Sequence, residues 1–182
     1  MTSPKHRAGA FVDPANDPRD TSTSLGDERV TLLDYVKFQR QTLELKCEGL
    51  TPEQMAQRSV PPSTMSLLGL VRHMAHVERA WFRIHFAGED VPRLYQTPDD
   101  PDGDFDGAVA DQAVVDDAWA RWREEIAYAD EFVATHDLDF IAEFDGNRVS
   151  LRELLVHMVE EYARHNGHAD LLRECVDGRI GE

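Results

Sequence analysis

The chain has 182 residues, 41% of them hydrophobic and 30% charged, enough for one domain with a sizeable core. Its net charge of −16 argues against a nucleic-acid backbone binder, which needs clustered Lys and Arg. No apolar run reaches the roughly 18–20 residues that span a bilayer, and the N-terminus carries no apolar signal-peptide core. The two cysteines, Cys47 and Cys175, therefore read as reduced structural thiols in the cytoplasm.

Residues 1 to about 25 hold Pro4, Pro14 and Pro18 among polar and charged residues. They read as an irregular arm without a core of its own, or else as a partner-binding arm. The folded domain is expected over 26–182. Its first long helix is predicted over 27–47, with Gly49 past its end. Thr51, Pro52 and Gln54 then have the pattern of N-cap, first helical position and capping-box partner of a short helix.

After Pro61-Pro62, a second long helix is predicted over 66–87. Leu67, Leu70, Met74, Val77 and Trp81 form its apolar seam. At about 100° per residue, His73 lies roughly 80° from the centre of that seam and His76 roughly 140°. His73 is thus the better placed to reach the interior. His85 sits nearer the seam but further along the helix, at the other level of a bundle. Taken singly, each of these histidines reads as solvated or hydrogen-bonded.

Residues 88–110 read as a long acidic loop with Pro92, Pro98 and Pro101. Asp102-Gly103-Asp104-Phe105-Asp106-Gly107 imitates the first half of an EF-hand calcium loop. The twelfth position, which should supply a bidentate Glu, is Ala113, so a solvated acidic turn is the better account. A third long helix is predicted over 111–136, with Val115, Ala118, Trp119, Trp122, Ile126 and Phe132 on its apolar face. Asp145-Gly146 between short apolar pieces predicts a small hairpin.

The last long helix is predicted over 151–176, opened by a Ser150/Glu153 capping box and followed by Gly178. Leu151, Leu154, Leu155, Met158, Tyr162, Ala169, Leu172 and Val176 form its stripe. His165 falls roughly 30° from the stripe centre, Glu161 roughly 70°, His168 roughly 90° and His157 roughly 110°. Glu160 points away. Four amphipathic helices in a chain of this size predict an all-α four-helix bundle, and the long second connection leaves room for a crossover.

Glu161 and His165, four residues apart on one face, make a rigid ligand pair, and His73 on a neighbouring helix supplies the third donor. Such a set suits zinc, nickel or iron with one position open to water or substrate. A purely structural reading, with Glu161 salt-bridged to Arg72 or Arg164, stays open beside it. Di-iron bundles need Glu-x-x-His on two helices, and no histidine here has a Glu three residues before it. A nucleophile elbow, a phosphate loop and a dinucleotide fingerprint are all missing.

Pro61-Pro62-Ser63-Thr64-Met65-Ser66-Leu67-Leu68-Gly69-Leu70-Val71-Arg72-His73, then Val77-Glu78-Arg79, and His157-Met158-Val159-Glu160-Glu161-Tyr162-Ala163-Arg164-His165-Asn166-Gly167-His168 further on, resemble the DinB/YfiT-like superfamily. The closest branch is similar to the actinobacterial mini-circle protein group. The resemblance covers about Val30 to the C-terminus. It implies a four-helix bundle, a homodimer through helix faces, and one metal held near one end. The usual triad in that superfamily is three histidines. Glu161 is a departure at the middle position, shared with the mycothiol-dependent maleylpyruvate isomerase branch, which is similar in using His, Glu and His.

The resemblance also extends to thiol S-transferases in which metal lowers the pKa of a bound thiol. It thus implies a metal-dependent thiol transferase or isomerase acting on a small molecule. The metal would hold a mycothiol-like low-molecular-weight thiol or activate water. His73, Glu161 and His165 are the implied ligands, and His168 a supporting or proton-transfer group. The other class is a non-catalytic, metal-binding, dimeric bundle of a stress response.

Overall fold

A computed structural model describes residues 11–13, 16–19 and 25–180. Helix ends follow side chains that satisfy the otherwise unpaired N–H groups of a first turn. Asp27 accepts from the Val30 N–H at 2.9 Å and starts α1, Glu28–Cys47. Thr51 and Gln54 form the expected capping box of α2, Pro52–Ala56. Ser66 accepts from the Gly69 N–H at 3.1 Å and starts α3, Leu67–Glu78. Two further segments follow, α4 at Gly103–Asp106 and α5 at Gln112–Thr135, the latter capped by Asp111.

The hairpin is present. Strands β1, Ile141–Phe144, and β2, Asn147–Ser150, pair antiparallel from Ile141 opposite Ser150 to Phe144 opposite Asn147. Its turn residues Asp145 and Gly146 both have positive φ, 48° and 78°, as a two-residue type I′ turn requires. Ser150 then caps α6, Leu151–Asp177, and Gly178 ends it in the left-handed region at φ 80°.

One element departs from the expected regular helix over 66–87. Beyond Glu78 the chain winds as a π-helix, Arg79–Phe86. The wide turn coincides with a buried carboxylate on α5. Glu125 receives Arg79 Nη2 at 2.7 Å and Arg83 Nε at 2.6 Å. Trp81 and His85, from the same segment, lie against Phe144 of the hairpin.

Contacts along the helices give their directions. Glu28 meets Arg152, Gln39 meets Asn166 and Lys46 meets Asp170, so α1 and α6 run parallel. Arg79 meets Glu125 and Phe86 meets Phe132, so the π-helical continuation of α3, and α3 with it, runs parallel to α5. His73 lies by His165 and Trp81 by His157, so α3 and α6 are antiparallel. Parallel α3 and α5 require the chain between them to cross the length of the bundle. Residues 87–111 do this.

Leu43, Leu67, Leu68, Leu70, Met74, Leu151, Leu154, Leu155 and Met158 fill the core. A polar chain passes through it. Arg40 donates to both oxygens of Glu78 at 2.8 Å each, Tyr162 donates to Glu78 Oε1 at 2.7 Å, and Trp122 donates to the Tyr162 hydroxyl at 2.9 Å. The four residues come from α1, α3, α6 and α5. Tyr162, expected as one more apolar residue of the α6 stripe, thus ties all four long helices together and fixes the register of its neighbour Glu161.

Much of the N-terminal arm expected over 1–25 lies outside the described residues. Phe11 is buried, with Lys46 Nζ 4.0 Å above its ring and the Arg179 guanidinium at 4.1 Å. Among the described residues no helix is long and apolar enough to cross a membrane.

Both cysteines are free thiols, Cys47 buried and Cys175 exposed. Burial pushes the Cys47 thiol up to about 12, far from thiolate character at neutral pH. An alkylating reagent is therefore expected to modify Cys175 in the native protein and Cys47 only after unfolding. Mass spectrometry of the native adduct checks this. Prompt labelling at Cys47 would contradict the packing beneath α1.

Candidate metal centre

Antiparallel packing of α3 on α6 brings three side chains together. Among the described residues, one ligand atom each from His73, Glu161 and His165 lies within 4.8 Å of the others. The His73 and His165 rings meet edge to face, centroids 4.7 Å apart. Glu161 Oε2 stands 3.6 Å from His165 Nε2. All three side chains keep partial access, at 20%, 24% and 12% exposure, so a ligand can reach them from solvent. The close approach of His165 holds the Glu161 carboxyl below its usual range against the opposing effect of burial, with His157 adding to it.

The residues flanking the cluster divide into those that touch it and those that do not. His157 Nε2 lies 3.6 Å from Glu161 Oε1 on the side away from His165, and Trp81 packs edge-on against its ring. His168 places Nδ1 3.4 Å from His165 Nδ1, at the loose limit of a hydrogen bond. His85 stacks on Phe144 at the hairpin end. Glu160 is exposed. Arg72 does not pair with Glu161, and Arg164 is exposed. Arg72 instead donates to the backbone carbonyls of Asp104 and Gly103, at 2.8 and 2.9 Å.

Two expectations are corrected. His76 is buried, and its Nδ1 has no hydrogen-bond partner among the described residues. Burial pushes its pKa down to about 4, so it is neutral. The angle from the α3 seam misplaced it because the second connection folds back over that side of α3. The acidic turn is the second. Asp104 is 1% exposed, not solvated, and its Oδ2 lies 2.7 Å from His73 Nδ1, within hydrogen-bond distance. Gln96 donates to the same oxygen at 3.0 Å, and the Phe105 N–H to Oδ1 at 3.0 Å. Burial would raise the Asp104 carboxyl, but His73, through its hydrogen bond and charge, together with the bonds from Gln96 and the Phe105 N–H, outweighs it and holds the group low. Phe105 stacks on the other side of the His73 ring, centroids 5.2 Å apart.

The donor set fits a divalent ion. Donors about 2.1 Å from one tetrahedral ion lie about 3.4 Å apart. The Glu161–His165 separation of 3.6 Å already meets that spacing. Two imidazoles and one carboxylate form the three-ligand complement of an open catalytic site. A family model described as mycothiol S-transferase matches residues 31–178. The chain belongs to the mycothiol S-transferase family. The match runs from α1 to the cap of α6, so every residue of the cluster falls within the mycothiol S-transferase region, and the arm precedes it. The DinB-like resemblance, with its link to mycothiol, is borne out at this level. No curated protein and no solved structure gives a significant match.

Sequence reasoning missed Asp104, Gln96 and Phe105. One signal was there to use. A single Phe among the five aspartates of residues 99–106 marks a turn with an anchored side, not one solvated all round.

Proposed function

We propose that the chain is a metal-dependent S-transferase that joins mycothiol to a small electrophile, with His73, Glu161 and His165 as the ligands. The observation that supports it most is the convergence of these three donors from two antiparallel helices, within 4.8 Å of one another. A bound divalent ion, zinc first and nickel or iron otherwise, would supply a Lewis-acid position that lowers the pKa of a coordinated thiol. Glu161 would contribute the one negative charge of the set, so that a divalent ion held there would keep a net positive charge favouring thiolate over thiol. The thiol proton would leave to solvent, and His168, its Nδ1 3.4 Å from His165 Nδ1, supports that ligand from behind, with its own pKa held down by burial and by His165. The sulfur then forms a bond to the electrophilic carbon, and the leaving group departs with its electron pair.

Purified protein is expected to form the conjugate from mycothiol and an alkylating electrophile, read by mass spectrometry. Removing metal with a chelator should lower that rate at least tenfold, and added zinc should restore it. An undiminished rate in metal-free protein would overturn the metal part. Absence of any conjugate in zinc-loaded protein would overturn the transferase part.

A further inference from the structure

The second connection, residues 87–111, carries a device that the transfer chemistry alone does not call for. We infer that Asp104 is the positioning residue of the site, holding His73 in the tautomer that keeps Nδ1 protonated and leaves Nε2 as the bare donor. This rests on the metal reading above.

The hydrogen-bond directions carry the argument. The Asp104 carboxylate already receives the Gln96 amide and the Phe105 N–H. A carboxylate oxygen in that role accepts, so the 2.7 Å contact with His73 Nδ1 needs the proton on the histidine. With Nδ1 committed, Nε2 is the only ring nitrogen left with a lone pair. A carboxylate behind a ligating histidine fixes ring orientation and raises the basicity of the ligating nitrogen. Phe105 stacks against the ring and limits its rotation.

The surrounding chain is built to deliver this carboxylate. Arg72, the residue before His73, holds the carbonyls of Gly103 and Asp104 and lies 3.8 Å over the Tyr95 ring. The loop and the histidine are therefore referenced to the same turn of α3. Close approach is written into two glycines. A Cβ at Gly103 would stand 2.2 Å from the Tyr95 carbonyl oxygen, and one at Gly69 would stand 2.9 Å from Phe105 Cδ1. Burying a carboxylate costs free energy unless it is partnered, and beside the neutral donors Gln96 and the Phe105 N–H the titratable partner here is His73.

The test locates the proton first and measures metal second. Metal-free protein carrying 15N-histidine is examined by long-range proton–nitrogen correlation, with the His73 signals assigned by their loss in His73→Gln. The expected wild-type pattern is the Nδ1–H tautomer. Asp104→Ala should move His73 to the Nε2–H tautomer that imidazole prefers unaided. Asp104→Asn, whose amide oxygen still accepts, should keep Nδ1–H and rescue most of the effect. The dissociation constant for zinc should rise about 10–100-fold in Asp104→Ala, with helical content unchanged, and less in Asp104→Asn. An Nε2–H tautomer in the wild type would overturn the inference. So would an Asp104→Ala protein with unchanged tautomer and unchanged zinc affinity. A wild-type protein that binds no zinc would instead overturn the metal reading, while the tautomer comparison would still decide what Asp104 does to His73.

Discussion

Glu78→Ala is expected to destabilise the fold by about 3–5 kcal/mol, the cost of stranding one member of a buried ion pair. The Glu78 side chain is 0% exposed and that of Arg40 10%. Burial works against the Arg40 charge, but Glu78, through its charge and hydrogen bond, together with Tyr162 and Asp130 more than offsets it and raises the guanidinium above its usual range. Without Glu78, Arg40 keeps only Asp130, which is largely exposed and screened by water. The Tyr162 hydroxyl loses its acceptor in the core at the same time.

For a chain of this length that loss lowers Tm by roughly 6–20 °C. Replacing both charges with apolar residues, Arg40→Met with Glu78→Leu, should recover much of it, because neither charge is then left desolvated. Urea unfolding followed by circular dichroism measures both variants. A loss below about 1 kcal/mol in Glu78→Ala would show that water reaches the pair.

What could be read from sequence was local. Helix ends were legible because Asp27, Thr51, Ser66, Asp111 and Ser150 accept from N–H groups two or three residues away, and Gly178 takes up the left-handed cap. The hairpin was legible because Asp145-Gly146 is a local turn signal. The inward lean of His73, Glu161 and His165 follows from the period of one helix at a time, and these are the three side chains that the fold brings together.

What escaped depends on groups far apart in the chain. Arg40 and Glu78 are 38 residues apart, and Arg79 and Glu125 are 46 apart. No periodicity shows that these charges are buried, since each sits in an amphipathic helix where a solvated face is the default. The π-helical turn at Arg79–Phe86 coincides with that distant Glu125 and has no local signature. Asp104 looked solvated because its partner, His73, lies 31 residues away. His76 misled for a related reason. A helical angle gives the side of α3, and only the path of the second connection says whether that side is covered.

Five single replacements should separate the ligands from their neighbours. His73→Ala and His165→Ala are each expected to reduce metal per chain to background, because a site of three protein donors has none to spare. Glu161→Gln should weaken binding without emptying the site at high metal concentration. The amide keeps the shape and one acceptor oxygen but loses the charge that offsets the ion. Glu160→Gln should retain the full complement, since Glu160 is exposed on the far side of α6. His76→Ala is the sharper control. His76 is one turn from His73 and buried, so its loss should cost about 1–3 kcal/mol in packing and leave the metal in place. A ligand variant shows the opposite pattern, with metal lost and helix content kept, because the apolar seams and the Arg40–Glu78–Tyr162 network hold the bundle without the ion. Elemental analysis of the five purified variants, beside their unfolding curves, gives both readings. Full metal in His73→Ala and His165→Ala would place the site elsewhere, and full metal in only one of them would name the donor that does not belong.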